Sequence, residues 1–372
     1  MPSYRRPVHA GSWYTDDPAQ LTASLDSWLQ QAPDSLPKGR VIIAPHAGYA
    51  YSGPCAAYAY KALDLSRCKR IFLLGPSHHK YSSGVLLPHP SIEGFRTPLA
   101  SETIPYDKDT ITSIYNANPN IFMHMSGATE EKEHSLEMHL PYIHRLLQKK
   151  YGDDVSSYPK LVPIMVGATA PNTERTAGEV LAPYFADPEA AVVVSSDFCH
   201  WGARFSYTFY TTAVPDTTPS LPLSAESLPQ PDKVTVFDIH STVADIENSG
   251  TMLQSERKYN PPPYIHESIS AVDIACMTAL TLPCSTSTFE DGDMSQPVNV
   301  FYHAMQQTEG NTICGRHPIA VVLNAISHIV GGNEGGADEH RGRFRFLRYE
   351  RSSDVFDLSD SSVSYVSAVA TL

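Results

Sequence analysis

Four short apolar runs limit what this chain can fold into: Val41-Ile42-Ile43-Ala44, Ile71-Phe72-Leu73-Leu74, Leu161 to Val166 and Ala191 to Val194. None alternates apolar with polar residues, so none reads as a strand with one wet face. Continuous runs suit strands buried on both faces, as in parallel sheets covered by helices.

The segments between the runs supply such helices. Asp17-Pro18 opens one, since Asp is a good N-cap and Pro suits the first helical position. Leu21, Leu25, Trp28 and Leu29 follow at helical spacing. Gly53 to Leu63, Ser135 to Lys150, Glu174 to Phe185 and His317 to Val330 read as further helices, the last stopped by Gly331-Gly332. Arg343 to Tyr349 and Ser361 to Leu372 read as closing strands of antiparallel type. The alternation predicts one α/β domain over residues 1–372, a parallel-dominated central sheet flanked by helices. Two stretches rich in Pro, Ser and Thr, 213–232 and 283–297, cannot bury enough apolar surface to order themselves, and are expected to be flexible surface insertions.

Composition excludes several classes of function. A net charge of −13 argues against nonspecific binding to nucleic acid or to an anionic membrane. No apolar run approaches the ~20 residues of a membrane-spanning helix. Met1 to Tyr14 has no apolar core of a secretory signal. The six scattered cysteines therefore read as reduced thiols in a cytoplasmic protein, or alternatively a nuclear one. There is no Gly-rich phosphate loop and no Gly-x-Ser-x-Gly elbow.

Three of the four runs end in ligand-capable clusters: Pro45-His46-Ala47-Gly48-Tyr49, Gly75-Pro76-Ser77-His78-His79, and Ser195-Ser196-Asp197-Phe198-Cys199-His200-Trp201. Ligands of open α/β sheets bind beyond the carboxyl ends of strands, so His46, His78, Asp197 and His200 can converge. A fourth cluster, Thr312-Ile313-Cys314-Gly315-Arg316-His317-Pro318, precedes the last helix. A thiol there, near a helix N-terminus and Arg316, is expected to have a lowered pKa. His79 is expected to point away from His78. His134-Ser135-Leu136-Glu137-Met138-His139 lacks the His spacing of a zincin. His134 and Glu137 are instead candidates for supporting metal ligands from behind.

These clusters, with His9-Ala10-Gly11-Ser12-Trp13-Tyr14 and Glu133 to Tyr142, resemble the Memo family, named for mediating cell motility driven by receptor tyrosine kinases. The likeness runs from about His9 to the last strand. It implies a fold shared with class III extradiol dioxygenases, which hold non-haem iron with two His and one Glu. On that pattern the metal ligands are His46, His78 and, in place of Glu, Cys314; His200 takes the place of the catalytic base, with Asp197 beside it. The implied metal is copper or iron, with zinc as an alternative, and the implied role lies in redox or signalling processes. The resemblance also implies a phosphotyrosine peptide or a small molecule in the cleft, lined by Trp13 and Tyr51. A thiolate is softer than a carboxylate and is itself oxidisable, so ring cleavage is not expected. The alternatives are a metal-dependent oxidoreductase or dioxygenase acting on a small substrate, and a metal-independent phosphopeptide adaptor.

Overall fold

In the computed structural model, the four apolar runs lie side by side. They become the strands β1 (Val41–Ala44), β2 (Arg70–Pro76), β5 (Lys160–Val166) and β6 (Ala190–Ser195) of one sheet. Its other strands are β3 (Val85–Leu87), β4 (Phe122–His124), β7 (His200–Trp201), β8 (Leu223–Ser224), β9 (Arg345–Arg351) and β10 (Ser362–Ala370). The structure describes residues 3–152, 154–214, 220–234, 236–254, 261–284, 294–331 and 339–372. Among them the sheet runs β8-β9-β10-β1-β6-β2-β5-β3-β4, with β7 paired to β10. The centre, β1-β6-β2-β5, is parallel throughout, as expected. Antiparallel pairing extends both sides of it, through β10 on β1 and β3 on β5, so the whole sheet is mixed. One contiguous apolar core reaches from Tyr14 to Ala370, which makes this a single α/β domain.

The helices follow from local sequence with two adjustments. Helix α1 (Pro18–Gln31) is capped by Asp17, whose side chain accepts from the Gln20 amide. Helix α2 (Tyr49–Ala62) begins before Gly53 and accommodates Pro54 within it. The helix expected over Ser135 to Lys150 is broken. A short helix, His134–Glu137, ends at Met138, and α3 (Leu140–Tyr151) restarts with Pro141 in its first turn. Proline has no amide hydrogen to continue the earlier helix but fits the start of a new one. Helices α4 (Pro171–Ala186) and α5 (Arg316–Gly331) pack against each other, with Gly178 at their closest approach. A Cβ at Gly178 would lie 2.6 Å from that of Asn324, so only glycine admits this contact. No described helix is long and apolar enough to cross a membrane.

The segment 213–232 differs from the flexible insertion expected. Residues 215–219 lie outside the described residues, but Leu223–Ser224 form edge strand β8 against β9. Leu223 and Leu228 are buried, and the Gln230 side-chain amide donates to the Phe346 carbonyl at 2.8 Å. Backbone pairing along a sheet edge orders a polar segment that two leucines alone would not. Most of 283–297 lies outside the described residues. Its end is folded, with Gln296 and Pro297 buried at the start of the helix Pro297–Gln307.

Candidate metal centre

Strands β1, β6 and β2 are adjacent and parallel, so their carboxyl ends share one rim of the sheet. The chain reaches β2 directly after β1 and returns later to insert β6 between them, the topology that opens a crevice for ligands. His46 follows β1, Asp197 follows β6 and His78 follows β2. Cys314 approaches the same rim from the loop before α5. One ligand-capable atom from each of His46, His78 and Cys314 lies within 4.8 Å of the others. His46 Nε2 and Cys314 Sγ are 3.2 Å apart.

Both imidazoles are fixed from behind. Ser195 Oγ donates to the Ser135 carbonyl at 2.7 Å, so its lone pair receives the hydrogen of His46 Nδ1, 2.6 Å away. That leaves His46 Nε2 as a bare donor atom facing Cys314. Burial, then neighbouring histidines, push the His46 pKa well down, so the ring stays neutral. His78 is held by Glu133, which accepts its backbone amide at 2.7 Å and its Nδ1 hydrogen at 2.9 Å. Burial opposes ionisation of Glu133, yet His78 and His134 hold its carboxyl below the usual range. A carboxylate behind a ligating histidine fixes its tautomer and raises its basicity.

Cys314 departs from expectation in charge. Burial pushes its thiol well up, with Asp197 adding to the effect, although amides of Asp197 and Gly315 pull the other way. The nearby helix start does not outweigh desolvation, so the sulfur keeps its proton. Its position depends on Gly315. A Cβ there would meet the Ser196 Cβ at 2.3 Å, and the Gly315 amide donates to Ser196 Oγ at 3.1 Å. The Gly315→Ala variant is expected to push Cys314 off the strand rim and weaken metal binding at least tenfold, measured by competition titration. Affinity equal to that of the unsubstituted protein would show that the loop adapts.

Asp197 lies behind the candidate ligands His46 and Cys314 and is absent from the cleft lining. Its Oδ1 accepts the amides of His46 (2.8 Å) and Ala47 (3.3 Å), and its own amide donates to Cys314 Sγ at 3.2 Å. Burial raises its pKa, against the pull of His200 and the two amides. It is therefore a positioning residue, aligning His46 with Cys314. His200 is in the cleft. Its Nδ1 hydrogen is shared between the carbonyls of Phe198 (2.9 Å) and Thr312 (3.1 Å), which leaves Nε2 for proton exchange. With His78, Cys314, Arg316 and His317 it lines a cleft of ≈ 360 Å³.

Glu133, and not Glu137, holds the candidate ligand His78. Glu137 instead receives the amide and Nδ1 of His9, each at 2.8 Å, together with the Tyr14 hydroxyl and the Arg5 guanidinium. His134 stacks on His78 with ring centres 4.4 Å apart and meets His46 edge-on at 5.4 Å. Trp13 covers the outer face of that group, 4.4 Å from the His134 ring. Tyr51 is 60% exposed on the first turn of α2 and is absent from the cleft lining. A further pair went unread in the sequence: His317 Nδ1 lies 2.6 Å from Glu174 Oε1, and its buried Nε2 has no partner among the described residues. Only the helical turn opening at Pro171 hinted at Glu174, and nothing local links it to His317.

Comparison with known proteins gives a consistent result. The profile of the family described as Memo-like protein matches residues 5–369. Protein MEMO1 of Xenopus laevis is 37% identical over 365 residues, covering 97% of this chain and 95% of that protein. Protein MEMO1 of Homo sapiens is 35% identical over 370 residues, covering 99% and 97%. The MEMO1 family protein MHO1 of Saccharomyces cerevisiae is 34% identical over 379 residues, covering 100% and 99%.

Proposed function

The chain belongs to the Memo family, and on that premise we propose that His46, His78 and Cys314 hold a redox-capable metal ion, copper or iron, in the service of redox or signalling processes. The observation that carries this reading is the convergence of two Nδ1-anchored imidazoles and one thiol within 4.8 Å. Two imidazole nitrogens and a sulfur fit soft and borderline ions, Cu(I) first, with iron and zinc also accepted. A bound ion would supply electron transfer and polarisation of a ligand at this rim.

The remaining chemistry belongs to the chain. Asp197 keeps His46 and Cys314 in register through its carboxylate and its amide. His200, with Nδ1 occupied by carbonyls, can take a proton at Nε2 from a molecule in the cleft, or return one. Arg316 beside Cys314 favours an anionic occupant. That favours, as a second reading, a phosphopeptide or small anion bound in the cleft. The thiol at the third ligand position argues against extradiol ring cleavage. The test is anaerobic titration of Cu(I) and Fe(II) into protein with and without Cys314, alongside oxygen uptake with catechols. Metal-free protein with no measurable affinity for either ion would overturn the proposal. Ring-cleaved product would overturn the exclusion of dioxygenase chemistry.

A further inference from the structure

We infer that His9, His79 and His134 form a second metal site, distinct from the His46–His78–Cys314 centre and suited to a borderline divalent ion such as Zn²⁺ or Cu²⁺. One ligand-capable nitrogen from each of the three lies within 4.8 Å of the others.

The first argument is a repeated construction. At the first centre, one carboxylate, Glu133, accepts both the backbone amide and the Nδ1 hydrogen of His78. Beside it, Glu137 accepts both the backbone amide and the Nδ1 hydrogen of His9. The two glutamates are four residues apart, about one helical turn, and both are buried. Each therefore fixes one imidazole with Nδ1 protonated and Nε2 bare, the state in which histidine ligates metal. Holding His9 in the fold does not need the bond to its ring, because the amide contact alone ties the chain down. Orienting the ring is what the second contact adds.

The second argument is the unspent donor of His134. Among the described residues its buried Nδ1 has no hydrogen-bond partner, and a carboxylate oxygen of Glu133 lies 3.5 Å away. A buried imidazole nitrogen without a partner costs free energy unless a ligand satisfies it. Its ring lies between the two candidate centres, stacked on His78 at 4.4 Å and edge-on to His9 at 6.0 Å and to His79 at 5.8 Å. Trp13 shields one side of the group and lies 5.8 Å from His9. His79, the exposed member, supplies the adjustment that closure needs. Tetrahedral bonds of about 2.0–2.1 Å place ligand nitrogens roughly 3.3 Å apart, a spacing compatible with nitrogens that lie within 4.8 Å of one another.

The chemistry differs from that of the first centre. Three imidazoles without a thiolate are harder than two imidazoles with one, so the second site prefers a divalent borderline ion and leaves a fourth position open. A third grouping, His78–Glu133–His134, is also within reach of an ion. Its carboxylate is already spent on the ring and amide of His78, so it reads as support.

Anaerobic Co²⁺ titration of the full chain separates the two sites. One equivalent should bring a sulfur-to-cobalt charge-transfer band, from Cys314. A second should bring ligand-field absorption without further charge transfer. His79→Gln, a change at an exposed residue, should weaken the second equivalent at least tenfold and leave the charge-transfer band intact. His9→Gln should do the same, and Cys314→Ser should do the reverse. Saturation at one equivalent in the unsubstituted protein would overturn the second site. So would a second equivalent indifferent to both histidine changes. Loss of the charge-transfer band alone would count against the first centre and leave the second standing.

Discussion

Replacing Cys314 with Ser should weaken Cu(I) binding by more than ~100-fold while leaving the folded state nearly unchanged. Losing a supporting residue around a metal already costs about 10–100-fold in affinity, and Cys314 is a proposed ligand itself. A serine hydroxyl is harder than a thiolate and does not ionise in the working range, so the loss should be larger for Cu(I) than for Fe(II). The fold should tolerate the change, because Ser can still accept the Asp197 amide that now reaches Sγ at 3.2 Å. Burial holds the thiol protonated, so each ion bound by the unsubstituted protein should release a proton. Its affinity should then rise about tenfold per pH unit below the thiol pKa. That slope should vanish in Cys314→Ser. Competition against a Cu(I) chelator at several pH values, with a thermal melt as the folding control, gives both results. Equal affinities in the two proteins would remove Cys314 from the centre.

The largest effect on stability is expected from Glu137→Ala. The Arg5 guanidinium is fully buried, and the Glu137 side chain facing it is 1% exposed. Arg5 also donates to the carbonyls of Glu130, Glu131 and Glu133, at the end of the helix Gly127–Lys132. Removing Glu137 leaves a buried cation without its anion, which costs about 3–5 kcal/mol. It also frees His9 and Tyr14, so the N-terminal segment should loosen from the helix His134–Glu137. Burial opposes ionisation of Glu137, but His9 and Arg5 hold its pKa below the usual carboxylate value. Its contribution is therefore present above that ordinary value and is lost as the pH falls through the lowered one. Denaturant unfolding at neutral pH and in acid would show the variant approaching the unsubstituted protein as the pH drops. A loss under about 1 kcal/mol at neutral pH would mean that the carbonyls alone satisfy Arg5.

The fold and part of the centre were legible along the chain for a definite reason. A strand buried on both faces must be apolar at every position, so β1, β2, β5 and β6 announce themselves, and so do the polar residues that end them. The edge strand β8 made no such announcement, because its order comes from backbone pairing with β9 and not from its own side chains. The partners behind the ligands were harder still. Glu133 and Glu137 stand in one short motif, and spacing alone gives either an equal claim on the metal. Their division of labour, Glu133 to His78 and Glu137 to His9 and Arg5, rests on which neighbours the fold brings up.

By itself, then, the sequence determined the parallel centre, the helices over it and the strand-end positions of His46 and His78, since burial and periodicity are local properties. Only the tertiary structure decided that Asp197 would face two backbone amides, that the Cys314 thiol would keep its proton, and that His9, His79 and His134 would meet. Each of those outcomes depends on desolvation and hydrogen bonds between residues far apart in the chain, which no local pattern encodes.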